Sequence, residues 1–356
     1  MTDWLAASRW QLLEPLLDAA LECAPKERDA FVRRATETDP ALRDELNALL
    51  RDAARVTELP LLNQSASGVF SSLLRENADD VVRMLQAALT NRYAIVRPIG
   101  AGGMATVYLA NALQFDRQVA IKVMRPDLSQ TVGAERFARE VRLVATLEHP
   151  NIVGTFDSGE ADGHFWFAMP FIDGESLRQR MARDGALPLD ESLSLVREVA
   201  DALGYAHRRG VMHRDIKPDN ILLSNGHAFV ADFGVARAIQ SSEQALTNTG
   251  MSVGTPAYMA PEQAAGERNL DERVDVYALG SVLYEMLAGT PAFTGPSRMA
   301  IVVRARNSDP RPIHVVRAAV TPALDAVILK AMSRTPADRY ATMSAFWDAI
   351  AASITT

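Results

Sequence analysis

The period of the hydrophobic pattern changes at Tyr93, and any fold for this chain must accommodate both halves. Before that residue, Trp4, Leu5, Leu12, Leu13, Leu16, Leu17 and Leu21 recur at three- and four-residue steps, the spacing that a helix brings to one face. Pro25 opens a second helix with Phe31 and Val32, and Asp39-Pro40 offers an N-cap and a first-turn proline ahead of Leu42, Leu46, Leu49 and Leu50. A small helical bundle is predicted. A polar break at Asn63–Gly68 reads as a linker, and Val81, Val82, Met84, Leu85 and Leu89 mark a further helix.

After Tyr93 short strands take over. Tyr93–Val96 and Thr106–Leu109 flank a glycine cluster, and Gln118–Met124 follows as a third strand of an antiparallel meander. A helix from about Glu135 to Leu147 and two more strand-like runs ending in Phe165–Met169 come next. From Ser176 onward helical patterns dominate, interrupted by a turn-rich region between Val211 and Gln263.

Charge and cysteine content narrow the class. A formal net charge of −7, without a basic cluster, argues against nucleic acid as a partner. No run approaches the roughly 20 apolar residues of a membrane span, and the N-terminus lacks the basic flank and apolar core of a secretory signal. Cys23 stands alone, so neither a disulfide framework nor a cysteine zinc site is available. The expectation is a cytoplasmic protein of a reducing compartment, with no membrane span.

Ile99–Val107 places its glycines between two strands, whereas a dinucleotide fold would place them at a helix N-terminus. Glycines at a hairpin tip let backbone N–H groups approach phosphates closely. Alone, the segment is as readily an ordinary turn. Further on stand Val119-Ala120-Ile121-Lys122, then His213-Arg214-Asp215-Ile216-Lys217-Pro218-Asp219-Asn220, then Asp232-Phe233-Gly234, then Ala260-Pro261-Glu262. In this order and spacing the sequence resembles the eukaryotic-type (Hanks-type) protein kinases over about residues 93 to 350, and their bacterial serine/threonine branch most closely.

The resemblance implies an α+β, two-lobed protein kinase fold, with a β-rich N-lobe at 93–173 and a helical C-lobe at 174–350. Ahead of it come an all-α extension at 1–62 and a linker with a helix at 63–92; residues 351–356 form a tail. It also implies transfer of the ATP γ-phosphate to Ser or Thr hydroxyls of proteins. Such transfer passes through a loose transition state and depends on positioning and charge neutralisation.

By the same resemblance, Lys122 holds the α- and β-phosphates and Glu140 orients it; Glu135 and Glu148 have the wrong spacing. Asp215 accepts or orients the substrate proton, Lys217 neutralises the γ-phosphate, and Thr255 helps orient base and substrate. Asn220 and Asp232 are the ligands for Mg²⁺, with Mn²⁺ as an alternative cation. ATP is cradled by Ile99, Gly100, Ala101, Gly102, Gly103, Met104, Ala105, Thr106 and Val107. Ala120 roofs the base with Val107, Leu222 floors it, Met169 lies at the back, and the Ile172 amide replaces the donor that Pro170 lacks. Ala105 stands where the third glycine is usual. His213 is expected to be a packed structural residue, Asp275 an anchor for the catalytic loop, and Glu262–Arg339 a structural ion pair.

Between Asp232 and Glu262 the hydroxyl-rich stretch Ser241–Ser252 resembles an activation loop. Arg214, with Arg237 as a second partner, would pair a phosphate there, so autophosphorylation is expected at Thr247 and Thr249, with Ser252 a weaker site. Trans-phosphorylation implies a transient homodimer. The alternative reading is a catalytically silent pseudokinase scaffold that acts through protein binding. For the N-terminal helices, interaction module, dimerisation surface and lobe brace stay open. Relatives continue past the last kinase helix into a membrane segment and sensor, so either input here arrives through the N-terminal helices or the chain is part of a longer protein.

Overall fold

The computed structural model describes residues 3–23, 25–37, 39–57, 81–102, 105–126, 129, 133–233, 256–267 and 269–355. Gly103, Met104, Gly234, Arg237, the Ser241–Ser252 stretch with Thr247 and Thr249, and Thr255 lie outside the described residues.

The extension forms α1 (Asp3–Glu22), α2 (Pro25–Ala35) and α3 (Pro40–Thr57). Asp39 caps α3, its Oδ1 accepting the Leu42 N–H at 2.9 Å and satisfying an amide that the helix start leaves unpaired. Leu13, Leu17, Ala20, Val32, Leu42, Leu46 and Leu49 meet in one buried cluster. Leu12, expected on the same face, is 56% exposed. It sits one residue, about 100° of helix rotation, before Leu13 and falls off the buried stripe.

A fourth helix, α4, is helical over 81–89 and lies against the sheet of the N-lobe. That sheet consists of β1 (Tyr93–Ala101), β2 (Ala105–Ala112), β3 (Arg117–Met124), β4 (Asp157–Ala161) and β5 (His164–Pro170), in the order β1-β2-β3-β5-β4 with antiparallel neighbours. Strand alternation gives it two apolar faces. Tyr108, Ala110, Val119, Ile121 and Val123 turn toward Leu85 and Leu89 of α4. Val107, Ala120, Met124, Phe167 and Met169 belong to the other face. Against that face packs α5 (Ala134–Ala145), whose Phe137 ring stacks on Phe165 at 4.6 Å.

The C-lobe begins with β6 (Glu175–Ser176), α6 (Leu177–Asp184) and α7 (Leu189–His207), followed by the hairpin β7 (Ile221–Ser224) and β8 (His227–Val230). Then come α8 (Pro261–Ala264), α9 (Arg273–Ala288), α10 (Arg298–Asn307), α11 (Pro322–Ala331) and α12 (Met343–Ile354). α9 is buried on every side from Val274 to Leu287, as an apolar central helix requires. α12 continues to Ile354. Its buried face, Met343, Phe346, Ile350 and Ser353, runs on through the residues assigned to a tail, because helical spacing keeps Ser353 on the packed side. The observed architecture is therefore the predicted α+β class, two lobes preceded by an all-α stretch.

Two of the contacts between the lobes frame the site. The chain crosses directly at Pro170–Gly174, where a Cβ on Gly174 would stand 1.9 Å from the Leu223 carbonyl oxygen. Behind it, Val153 N–H donates to Val230 O at 2.9 Å and Val230 N–H to Asn151 O at 2.8 Å.

Candidate active site

Between the lobes lies an apolar cleft. Ile99 from β1, Val107 from β2, Ala120 from β3, Met169 at the end of β5, Ile172 just beyond it and Leu222 from β7 belong to one cluster. Six residues from distant parts of the sequence thus line a slot suited to a flat apolar ring. The β1–β2 hairpin closes one end: Gly100 and Ala101 pair with Val107 and Thr106, and Gly102 N–H donates to Ala105 O at 2.9 Å. Pro170 pairs with Val119 in the β3–β5 ladder.

Opposite the hairpin, the loop between α7 and β7 presents the polar groups. Lys217 Nζ is 2.8 Å from Asp215 Oδ2. Asn220 Nδ2 donates to the same oxygen at 3.1 Å and to the Asp215 carbonyl at 2.8 Å. With its nitrogen so engaged, the Asn220 amide keeps its oxygen as the acceptor end suited to a cation. The Ala231 N–H donates to Asn220 O at 2.9 Å, tying the strand before Asp232 to this loop.

What holds the loop is Asp275, at the start of α9 and fully buried. Its Oδ2 accepts the His213 N–H at 2.8 Å and pairs with His207 Nε2 at 2.8 Å, while Oδ1 accepts the Arg214 N–H at 2.7 Å. Burial alone would raise the Asp275 carboxyl, but the contact with His207, its charge and the loop amides outweigh this and hold it below the usual range. Arg214 itself adopts φ 67°, a left-handed conformation that costs a non-glycine residue about 1–3 kcal/mol. His213 is wholly buried. Its Nδ1 accepts the Asp215 N–H at 3.2 Å, so Nε2 carries the proton donated to Ala231 O at 2.8 Å. With both nitrogens committed to backbone, His213 is a packed structural group.

Lys122 departs from the expected arrangement. Its Nζ forms an ion pair with Asp232 Oδ1 at 2.7 Å, a partner that the expected arrangement did not name. Asp232 has φ 68°, and that turn sets its carboxylate beside the lysine; a partly desolvated ammonium takes the nearest carboxylate. Burial pushes the Asp232 carboxyl up, yet Lys122 overrides it and the pKa is lowered. Glu140 is on the inward face of α5 and buried, whereas Glu135 and Glu148 are exposed.

Other contacts had no motif to announce them. Arg178 of α6 reaches Glu285 at 2.8 Å and the Tyr258 hydroxyl, which in turn donates to Glu285. Gln263 Nε2 donates to the Arg214 carbonyl at 2.6 Å, linking α8 to the catalytic loop. Arg339 holds Glu262 through two bonds of 2.6 and 2.7 Å, both partners buried. Only the last pair was legible beforehand, because Ala-Pro-Glu marks one partner; the others join residues 27 to 107 positions apart, without local pattern.

Comparison with known proteins places this geometry in context. The sequence profile of the protein kinase domain matches residues 93–347. The serine/threonine-protein kinase PknB of Mycolicibacterium smegmatis is 42% identical over 260 residues, which cover 71% of this chain and 41% of the relative. PknB of Mycobacterium tuberculosis is 40% identical, with the same shares. The chain thus spans about two fifths of the length of the curated relatives it matches. Among solved structures, the Mycobacterium tuberculosis PknI kinase domain superposes with a TM-score of 0.60 at 33% identity, covering 75% of this chain and 97% of that one. Rad53 residues 1–466, in complex with AMP-PNP, gives 0.60 at 25% identity, covering 74% and 66%. The profile match and the PknB identity establish that this chain belongs to the protein kinase domain family.

Proposed function

We propose that the chain is an ATP- and divalent-cation-dependent serine/threonine protein kinase. The observation that carries this reading is the grouping of Asp215, Lys217 and Asn220 within one hydrogen-bonded set, next to a cleft that also holds Lys122 and Asp232. Asp215 accepts the hydroxyl proton of the acceptor, a role worth about 10²- to 10⁴-fold. Lys217 leans on the same carboxylate and neutralises charge on the transferred phosphate. Asn220 and Asp232 supply oxygen donors, the chemistry that Mg²⁺ selects, with Mn²⁺ able to substitute. A bound cation supplies charge neutralisation between phosphate oxygens. Lys122 then exchanges Asp232 for the nucleotide phosphates, with Glu140 from α5 as its orienting carboxylate.

Proteins bearing Ser or Thr are the substrate class, in keeping with the relatives' names. The Thr247 and Thr249 hydroxyls are the proposed autophosphorylation sites, reached in trans through a transient homodimer. Cytoplasmic ATP places the reaction in the cytoplasm. A silent scaffold is disfavoured because Lys122, Asp215, Asn220 and Asp232 are all present and grouped. Labelled ATP, Mg²⁺ and a generic basic protein, incubated with this protein or its Asp215→Asn variant, test the reading. Transfer by the first and background by the second is expected; background from both overturns it. Phosphopeptide mass spectrometry of active protein should find modification between Ser241 and Ser252, and an unmodified loop refutes the autophosphorylation sites.

A further inference from the structure

The α1–α3 unit does not close its own core. Val303, on α10 of the C-lobe and 1% exposed, completes the cluster of Leu13, Leu17, Leu46 and Leu49, and Met299 packs at its edge. At the rim of this contact Asp18 of α1 forms an ion pair with Arg304. The Arg304 guanidinium also donates to the Thr294 carbonyl, in the turn that leads into α10. One residue round the helix, Val302 faces the other way, into a cluster with Met259 and Ala264, and Met299 touches both clusters. α10 is thus clamped between the N-terminal helices and the Pro256–Ala264 segment, which carries the Ala-Pro-Glu motif and directly follows Thr255, the residue expected to help orient base and protein substrate, and which is therefore taken as the protein-substrate segment. From that segment Gln263 reaches the Arg214 carbonyl, one residue before Asp215.

We infer that the N-terminal helices position the protein-substrate segment through α10, with Asp18–Arg304 as the positioning pair for protein phosphorylation. This rests on the kinase reading above and deepens it. α10 buries Val302 on one side and Val303 on the other, and a helix packed closely on two faces moves as a unit with both neighbours. Releasing one face uncovers Val303 and Met299 and frees the turn that Arg304 closes, so the wall behind Met259 and Ala264 is no longer fixed. The ATP cleft draws none of its cluster from α10, so the coupling acts on the protein substrate and leaves the nucleotide alone.

The test compares wild type, Asp18→Lys, Arg304→Asp and the charge-swapped double variant, all as full chains. Each single variant should raise the KM for a protein substrate about fivefold or more and speed amide exchange in α10. The KM for ATP and kcat should stay within twofold. The double variant re-forms the ion pair without the Thr294 bond, so its protein KM should fall clearly below that of either single variant. Since the two single variants change charge in opposite directions, a rise in both cannot come from steering of a charged substrate. An unchanged protein KM, a parallel loss of kcat and ATP affinity, unchanged exchange in α10 or no recovery in the double variant would each overturn the inference. Absence of transfer by wild type instead overturns the kinase reading, and this inference with it.

Discussion

Lys122 Nζ lies 2.7 Å from Asp232 Oδ1, so the lysine of β3 and the aspartate beyond β8 neutralise each other across the cleft. On the proposed function, Lys122 would hold the nucleotide phosphates and Asp232 would hold the divalent cation. Lys122→Met should therefore lower kcat by about 10²- to 10³-fold, the usual cost of one electrostatic stabiliser. Asp232→Asn should do the same and also raise the Mg²⁺ concentration needed for half-maximal rate. Steady-state kinetics across a Mg²⁺ series checks both, and wild-type rates in either variant would contradict the assignment.

Asp275 links stability to pH. Its folded pKa is depressed, so the unfolded chain binds the proton more readily. The stabilisation is complete above the unfolded value, about 3.9, and is lost as pH falls through the folded one. Asp275→Asn leaves a loop amide or His207 without its charged acceptor and should cost about 1.5–3 kcal/mol at pH 7. Its stability should then fall less steeply than wild type below about pH 4. Urea unfolding at pH 7 and at steps below pH 5 measures both effects.

The Glu262–Arg339 pair predicts non-additivity. Removing either partner strands a buried charge, and Glu262→Gln or Arg339→Met should each cost about 3–5 kcal/mol. A double variant that places leucine at 262 and methionine at 339 should lose less than the two single costs combined. Arg339 also donates to the Ser333, Arg334 and Arg273 carbonyls, so Arg339→Met should be the more costly single change. Thermal and denaturant unfolding of the three variants decide this.

Gly174 joins the lobes where no side chain fits. A Cβ there would stand 1.9 Å from the Leu223 carbonyl oxygen, which is backbone and cannot swing aside. Gly174→Ala should destabilise by about 1–3 kcal/mol and weaken nucleotide binding, since Leu223 follows Leu222 on the floor of the cleft. Gly163→Ala, at a turn with φ 75° and open space around it, should leave nucleotide affinity unchanged. ATP titration of both variants separates the local clash from general glycine loss.

Much of the site was legible because its residues are constrained by local chemistry. Lys122 sits on a strand-like run, and Asp215, Lys217 and Asn220 come within six positions, in the motifs that carry the resemblance to the protein kinases. The partner of Lys122 was not legible. Glu140 and Asp232 both follow it in sequence, one near and one far, and which carboxylate is nearer in space depends on the φ of one residue and the placement of α5. Leu12 was misread for a related reason: periodicity gives a face, but its limits are set by what packs on it.

The sequence alone determined the class of the protein. The change of hydrophobic period at Tyr93 separates a helical stretch from a strand-bearing one, and the ordered motifs carry the resemblance that implies two lobes and phosphoryl transfer, because periods and side-chain types are local properties. Only the tertiary structure decided where the N-terminal helices go. Their apolar face would suit many surfaces, and the choice of Val303 and Arg304 on α10 depends on shape and charge meeting across 286 residues of chain, which no local pattern records.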